Sequence, residues 1–316
     1  MRGDGTRGAL PGRAASAVAL VCAALLPLAG CGLADGEGQG SSGVVVTTNI
    51  LGDITRNVVG DEAEVTVLME ANADPHSFGI SARQAATMED AALVVYNGLG
   101  LEEGVLRNVR AAEDAGIPAL AVAEAVDPLP YADGEGDDPH FWTDPGRVRT
   151  AVDVIADRVV AEVDGVDADA VRENAAVYGA EIDRLDTWMA AEFDAIPPER
   201  RSLVTNHHVF GYLAERYRFR VIGAVIPSGT TLASPSSSDL ESLANAVREA
   251  GVPAIFADSS QPDRLARVLA DEIGHDVDVI PLYSESLTAE GEEAGTYLDM
   301  MRANTEAIVT GLGRAG

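Results

Sequence analysis

Lysine is missing from this 316-residue chain, and all 22 of its basic residues are arginine. A phosphate-binding loop of the Walker type needs a lysine, as does Schiff-base catalysis, so the chain carries neither. Positive charge is short overall: 51 acidic residues against 22 basic ones give a net charge of -29. A nucleic-acid duplex would be repelled by such a surface, which excludes that class of partner. Cysteine occurs twice, as Cys22 and Cys31, histidine five times, and aromatics make up 5%. What the chain has in plenty is aliphatic residues. Its hydrophobic fraction of 47% is that of a globular protein, and its length suits two ordinary domains.

The first forty residues read as a targeting segment. Arg2, Arg7 and Arg13 precede the apolar stretch "AASAVALVCAALLPL" (14–28), which is short for a membrane span. It runs into "LAGC", ending at Cys31, a pattern that resembles a bacterial lipobox, whose cysteine carries the lipid anchor of the mature chain. Residues 1–30 are then a lipoprotein signal peptide, and the Gly/Ser-rich 31–43 a flexible tether. With Cys22 in the signal and Cys31 lipidated, no thiol is left for a disulfide or a thiolate metal site. The expected location is the outer face of the cytoplasmic membrane, held by lipid alone.

From residue 44 onward, β-branched runs alternate with helical patterns. Strands are expected at 44–49, 64–70, 92–97 and 118–124, and again at 202–206, 220–226, 253–258 and 276–283. Helices between them, such as 82–90, 102–114 and 239–251, point to parallel sheets with crossover helices. One long periodic segment, 167–196, separates the two sets. Val171, Ala175, Tyr178, Ile182, Leu185 and Met189 repeat at three- and four-residue spacing and form one apolar stripe. Asp167 or Asp169 can cap its start, and Pro197-Pro198 stops it. The expected architecture is α/β: two lobes (44–166 and 197–316), each a mainly parallel sheet flanked by helices. One long helix joins them, and a ligand cleft lies between them. A single sheet of nine or ten strands is the alternative.

Asp-Pro-His is written twice, in "ADPHSF" (73–78) and "DDPHFW" (137–142). His76, His140, His207 and Glu285 all follow expected strands, where open α/β sheets place their ligands. Two come from each lobe, so facing lobes would let them converge. Three imidazoles and a carboxylate suit tetrahedral Zn²⁺. Proline stiffens each loop before its histidine, and Asp74 and Asp138 are candidates to orient an imidazole. Scattered histidines are also common as core or surface residues, and no HExxH pattern is present. Spacing alone leaves both readings open.

Four segments, "DPHSFGISARQAATMEDAALVVYNGLGLE" (74–102), "DPHFWTDP" (138–145), "TNHHVFGYLAERY" (205–217) and "LYSESLTAEGEEAGTYLDMMRANTEAI" (282–308), carry a resemblance. Together they resemble the zinc/manganese substrate-binding lipoproteins of bacterial ABC importers, the cluster A-I solute-binding proteins. The resemblance implies two α/β lobes on a rigid helix, a metal buried between them, and His76, His140, His207 and Glu285 as its ligands in that order. It implies a monomeric receptor that takes a divalent ion and passes it to a permease and ATPase on other chains. His207 stands where many manganese receptors have Glu, and Glu285 where Asp is usual. The nitrogen-rich set favours Zn²⁺ as transported ligand, with Mn²⁺ the alternative. The loop 131–139 is acidic but has no histidine, so a metal-gathering role there is weak.

A zinc hydrolase would use Glu285 as base beside an open coordination position, and an adhesin role attaches to some relatives. The chain is expected not to be an enzyme. Metal affinity is expected to fall as pH drops through about 6.5, the ordinary imidazole value. His208, beside His207, and His275, in an exposed turn, are not expected to ligate. "NGLGLEEG" (97–104) only superficially resembles a dinucleotide loop. Asp258 could be a spare ligand, a support or a solvated carboxylate, and Phe141 and Trp142 are expected to pack beside the site.

Overall fold

The computed structural model describes residues 43–131, 136–274 and 277–313. Cys31, the signal segment, most of the tether and His275 lie outside the described residues. The strands fall into two separate four-stranded sheets, each wholly parallel. A single large sheet is therefore not formed.

The first sheet consists of β1 (Val44–Val46), β2 (Val65–Val67), β3 (Leu93–Tyr96) and β4 (Ala119–Ala121), in the order β2-β1-β3-β4. Its register pairs Val44 with Val65 on one side and with Leu93 on the other. The central strands are continuous apolar runs because both faces are covered. On one face Val45, Leu68, Met88, Val94, Val105 and Val109 form a small core, while Val44, Val46, Leu93 and Val95 join the main core on the other. The second sheet contains β5 (Ser202–Thr205), β6 (Arg220–Ala224), β7 (Ala254–Asp258) and β8 (Asp278–Leu282), in the order β6-β5-β7-β8. Pro281 is tolerated in β8 because that strand is an edge.

Several strands stop earlier than the apolar runs suggest. In "VVVTTN" the strand ends at Val46, because Thr48 turns to cap α1 (Asn49–Val59), its side chain accepting from the Leu51 amide. Similar local signals start α2 (Ala82–Glu89), which has a Ser81/Gln84 capping box, and α7 (Ser237–Ala250), which has Ser236/Asp239. Gly251 closes α7 in the left-handed conformation at φ 61°, which a residue with a Cβ adopts only at a cost. The remaining helices are α3 (Leu106–Asp114), α4 (Pro145–Glu162), α5 (Ala168–Asp194), α6 (Gly211–Tyr217), α8 (Arg264–Ile273) and α9 (Tyr297–Gly313).

The long helix α5 has 27 residues and so runs about 40 Å at 1.5 Å per residue. Asp167 caps it, accepting from the Asp169 and Ala170 amides. Its buried face is the stripe Val171, Ala175, Tyr178, Ile182, Leu185 and Met189, extended by Phe193. Tyr178 near its middle reaches Asp53 of α1, whereas Phe193 near its end packs on Tyr217 and Phe219, 5.0 Å between ring centroids in each case. One helix thus buries residues against both lobes. Each of its large apolar side chains contributes on the order of 1.5–3 kcal/mol by leaving water. Among the described residues, no helix is long and apolar enough to cross a membrane.

Candidate metal centre

All four candidate donors lie in segments that follow parallel strands, His207 and Glu285 directly after them and His76 and His140 on longer connections. His76 lies in the loop after β2, His140 in the segment after β4, His207 two residues past β5, and Glu285 three residues past β8. Although they come from opposite lobes, one ligand atom from each lies within 4.8 Å of all the others. The three imidazoles form a near-equilateral triangle, with ring centroids 5.3 to 5.4 Å apart. The Nε2 atoms of His76 and His140 are 3.3 Å apart. Glu285 faces all three rings: Oε1 lies 3.1 Å from His207 Nε2 and 3.6 Å from His140 Nε2, and Oε2 lies 3.8 Å from His76 Nε2. Ligands ~2.0–2.1 Å from a tetrahedral ion stand roughly 3.3 Å from one another. The spacing fits.

Each donor is 0 to 2% exposed. Burial that deep normally comes with hydrogen bonds. Here His207 Nε2 and both Glu285 oxygens have no hydrogen-bond partner, although their neighbours are poised a few ångströms away. Four Lewis-basic groups pointing at one another, three of their facing atoms without a hydrogen-bond partner, form a site that a divalent cation would satisfy.

The two Asp-Pro-His segments are built alike. Asp74 Oδ1 accepts from the His76 amide at 2.9 Å, and Asp138 Oδ1 from the His140 amide, also at 2.9 Å. Each aspartate closes a turn around its proline, which aims the histidine. Beyond that the copies differ. Asp138 Oδ1 also lies 2.7 Å from His140 Nδ1, which fixes the proton on Nδ1 and frees Nε2 to face the cluster. Asp74 touches no imidazole. Of the two aspartates considered for orienting a ring, Asp138 alone does so.

Burial dominates the electrostatics. It pushes His76 down to about 2, helped by the neighbouring His140 and His207 rings, and holds His140 well below its ordinary value. His207 is lowered by burial as well, against the opposing pull of Asp258, Asp74 and Asp138. Burial raises Glu285 well above the usual carboxylate range, and Asp258, Asp74 and Asp138 add to the effect. Asp138 itself is raised by burial to about 7. Burial thus favours neutral imidazoles below the ordinary 6.5 and a protonated Glu285 carboxyl in the metal-free site. The expectation of a titration near 6.5 assumes exposed rings, which these are not.

The other residues singled out in the sequence fall into place. His208 lies outside the four-donor cluster and lines a separate apolar cavity of about 590 Å³ with Phe210 and Ile222. Asp258 is buried and accepts from the Ser260 amide and from the Ser260 and Ser284 hydroxyls, so it anchors the segment carrying Glu285 rather than joining the cluster. Trp142 packs edge-on to His140, 5.3 Å between centroids, and its indole donates to the Ser284 carbonyl at 2.9 Å. It ties the His140 segment of one lobe to the Glu285 segment of the other. In "NGLGLEEG" the buried Glu102 carboxylate accepts from the Asn97 and Gly98 amides and the Thr47 hydroxyl. An internal carboxylate thus takes the amides a phosphate would need. That role of Glu102 is not evident from the sequence; the first of two adjacent acids, five residues after Asn97, is the only hint.

Two parallel-sheet lobes, one bridging helix and a buried cluster of three histidines and a carboxylate define a two-lobed binding protein for a small cation. The family model described as "Zinc-uptake complex component A periplasmic" matches residues 44–311, and the chain belongs to that family. It is 32% identical to the manganese-binding lipoprotein MntA of Bacillus subtilis over 308 residues, covering 93% of this chain and 98% of that protein. Among solved structures, the periplasmic zinc-binding protein TroA of Treponema pallidum superposes with a TM-score of 0.81 at 28% identity, covering 87% of this chain and all of TroA. The manganese-bound periplasmic metal-binding protein of Candidatus Liberibacter asiaticus gives 0.77 at 27% identity, covering 86% of this chain and all of that one.

Proposed function

We propose that this protein is the extracytoplasmic receptor of an ABC-type metal importer and that its cargo is Zn²⁺, held by His76, His140, His207 and Glu285. The observation that carries the reading is the convergence of four buried donors from two lobes, with His207 Nε2 and both Glu285 oxygens left without a hydrogen-bond partner. In this reading residues 44–166 and 197–316 act as two lobes on the 167–196 helix, and Cys31 carries the lipid that keeps a monomeric receptor beside its permease. The permease and the ATPase are read as other chains: this one has no lysine for a Walker loop, and among the described residues no helix is long and apolar enough to cross a membrane.

Zinc is preferred on ligand chemistry. Three nitrogens and one carboxylate match its preference, whereas manganese favours more oxygen, and the Irving–Williams order sets zinc above manganese at such a site. Manganese is the second reading, and the Bacillus subtilis relative's name supports it. A hydrolase is disfavoured because the carboxylate closes the fourth position that catalysis would leave to water. Elemental analysis of protein purified without added metal, followed by competition of zinc against manganese, tests the choice. Zinc is expected to be retained and to win. Manganese displacing zinc would reverse the metal assignment, and an absence of any bound divalent ion would overturn the receptor reading.

A further inference from the structure

Asp74 has a second carboxylate oxygen, and that oxygen leaves its own lobe. Oδ2 accepts from the Thr231 hydroxyl at 2.7 Å and from the Gln261 side-chain amide at 2.8 Å. Thr231 lies in the strap between β6 and α7, and Gln261 in the loop between β7 and α8, so both donors belong to the opposite lobe. The carboxylate is 7% exposed, while both donors are half-buried. Its other oxygen holds the His76 amide. The His76 turn, Asp74 and the rim of the opposite lobe therefore form one hydrogen-bonded chain.

The position of this chain matters. A cavity of about 200 Å³ opens beside His76, walled by Leu99 and Pro139 on one side and by Pro227, Ser228 and Thr230 of the strap on the other. His76 is the only one of the four donors lining it. Withdrawal of the strap would widen this opening, and it would also strip a buried carboxylate of both cross-lobe donors, which is costly. A contact from the second Asp-Pro-His segment to the far lobe, Tyr212 hydroxyl to the Asp138 carbonyl at 2.6 Å, is buried at both ends.

We infer that Thr231 and Gln261 clasp Asp74 across the cleft and so set how long the ion stays, without touching it. They are positioning residues, and the inference rests on the metal-receptor reading above. The test uses the full chain loaded with Zn²⁺, mixed with excess chelator while release is followed in time. Thr231→Val and Gln261→Leu are each expected to release zinc about tenfold faster, as loss of one charge-assisted hydrogen bond at a half-exposed position implies. Thr231→Ser, which keeps the hydroxyl, is expected to release at the wild-type rate. The absorption spectrum of the Co²⁺-loaded variants and the melting temperature of the metal-free variants are expected to match wild type, which a general loosening of the fold would not allow. Release at the wild-type rate from both Thr231→Val and Gln261→Leu would overturn the clasp alone, as would a Thr231→Ser variant as fast as Thr231→Val or an altered Co²⁺ spectrum. Wild-type protein that holds no zinc would overturn the receptor reading and the clasp with it.

Discussion

The two Asp-Pro-His segments differ in little but context, and they end with different work. Both fold the same local turn, with the aspartate accepting from the histidine amide. Asp138, deep in the interior, uses the same oxygen to hold the His140 ring. Asp74, at the rim, points its spare oxygen at the opposite lobe. A three-residue motif therefore specifies where a histidine leaves the chain. What surrounds the motif decides whether its aspartate tunes the ring or senses the closure of the cleft.

Removing a donor is the largest way to break this comparison. His76→Ala and His140→Ala are each expected to lower zinc affinity by roughly a thousandfold or more, since a structural zinc site owes on the order of 10–16 kcal/mol to four ligands. His207→Ala should cost as much, and His208→Ala almost nothing, because His208 lies outside the cluster. Competition titration against a chelator measures all four.

The aspartates sharpen the contrast. Asp138→Ala is expected to weaken zinc binding roughly 10- to 100-fold, because the His140 ring loses the acceptor that sets its tautomer. Asp74→Asn preserves the turn and touches no ring, so its equilibrium effect should stay below about tenfold. Equal losses in the two variants would contradict the division of labour.

Proton coupling is a further test. Glu285 holds its proton well above the usual range when the site is metal-free, and the carboxyl must lose it to ligate. Zinc affinity is therefore expected to fall as pH drops below that raised value, with proton release visible as a buffer-dependent heat of binding in calorimetry. Glu285→Gln should abolish most of that buffer dependence. Binding heats identical in all buffers would exclude Glu285 as the proton carrier.

The smallest effect is on the stability of the metal-free protein. The three imidazoles titrate below the 6.5 of an unfolded chain, so below that pH the unfolded state takes up protons that the folded state refuses. Stability is then lost as pH falls from about 6.5. Glu285 acts in the opposite sense: raised above 4.5, it favours the fold at low pH and withdraws that support as pH climbs. Asp138, raised to about 7, and Asp53, Glu102, Asp144 and Asp258, raised by burial, act in the same sense as Glu285, so the imidazole contribution is read from a variant rather than from the total. Relative to wild type, His76→Gln is expected to gain melting temperature as pH falls from about 6.5 to about 5, because it lacks a ring whose protonation favours the unfolded chain.

Much of the architecture was legible in the chain. The α5 stripe, its Asp167 cap and its stop before Pro197-Pro198 follow from period and breakers alone. Strand positions were legible too, but their ends were not. A β-branched run cannot reveal that Thr48 will cap a helix, or that the strand "RVIGAVI" ends at Ala224. Helix α4 escaped the reading altogether, although Asp144 caps it with Pro145 at its first turn and Val148, Ala151, Val152, Ile155 and Val159 recur on its buried face.

By itself the sequence determined which atoms were available and where each would leave the backbone: three imidazoles and a carboxylate, each beyond a strand end, two of them on proline-stiffened turns. These are local properties, set by residue type, φ restriction and capping chemistry over a few positions. Only the tertiary structure decided that donors as far apart as His76 and Glu285 meet around one point, that Asp138 serves a ring while Asp74 serves the cleft, and that Glu102 occupies a loop that might otherwise have taken a phosphate. The reason is that such contacts depend on how two sheets and one long helix pack, and packing joins residues with no short-range relation for the chain to record.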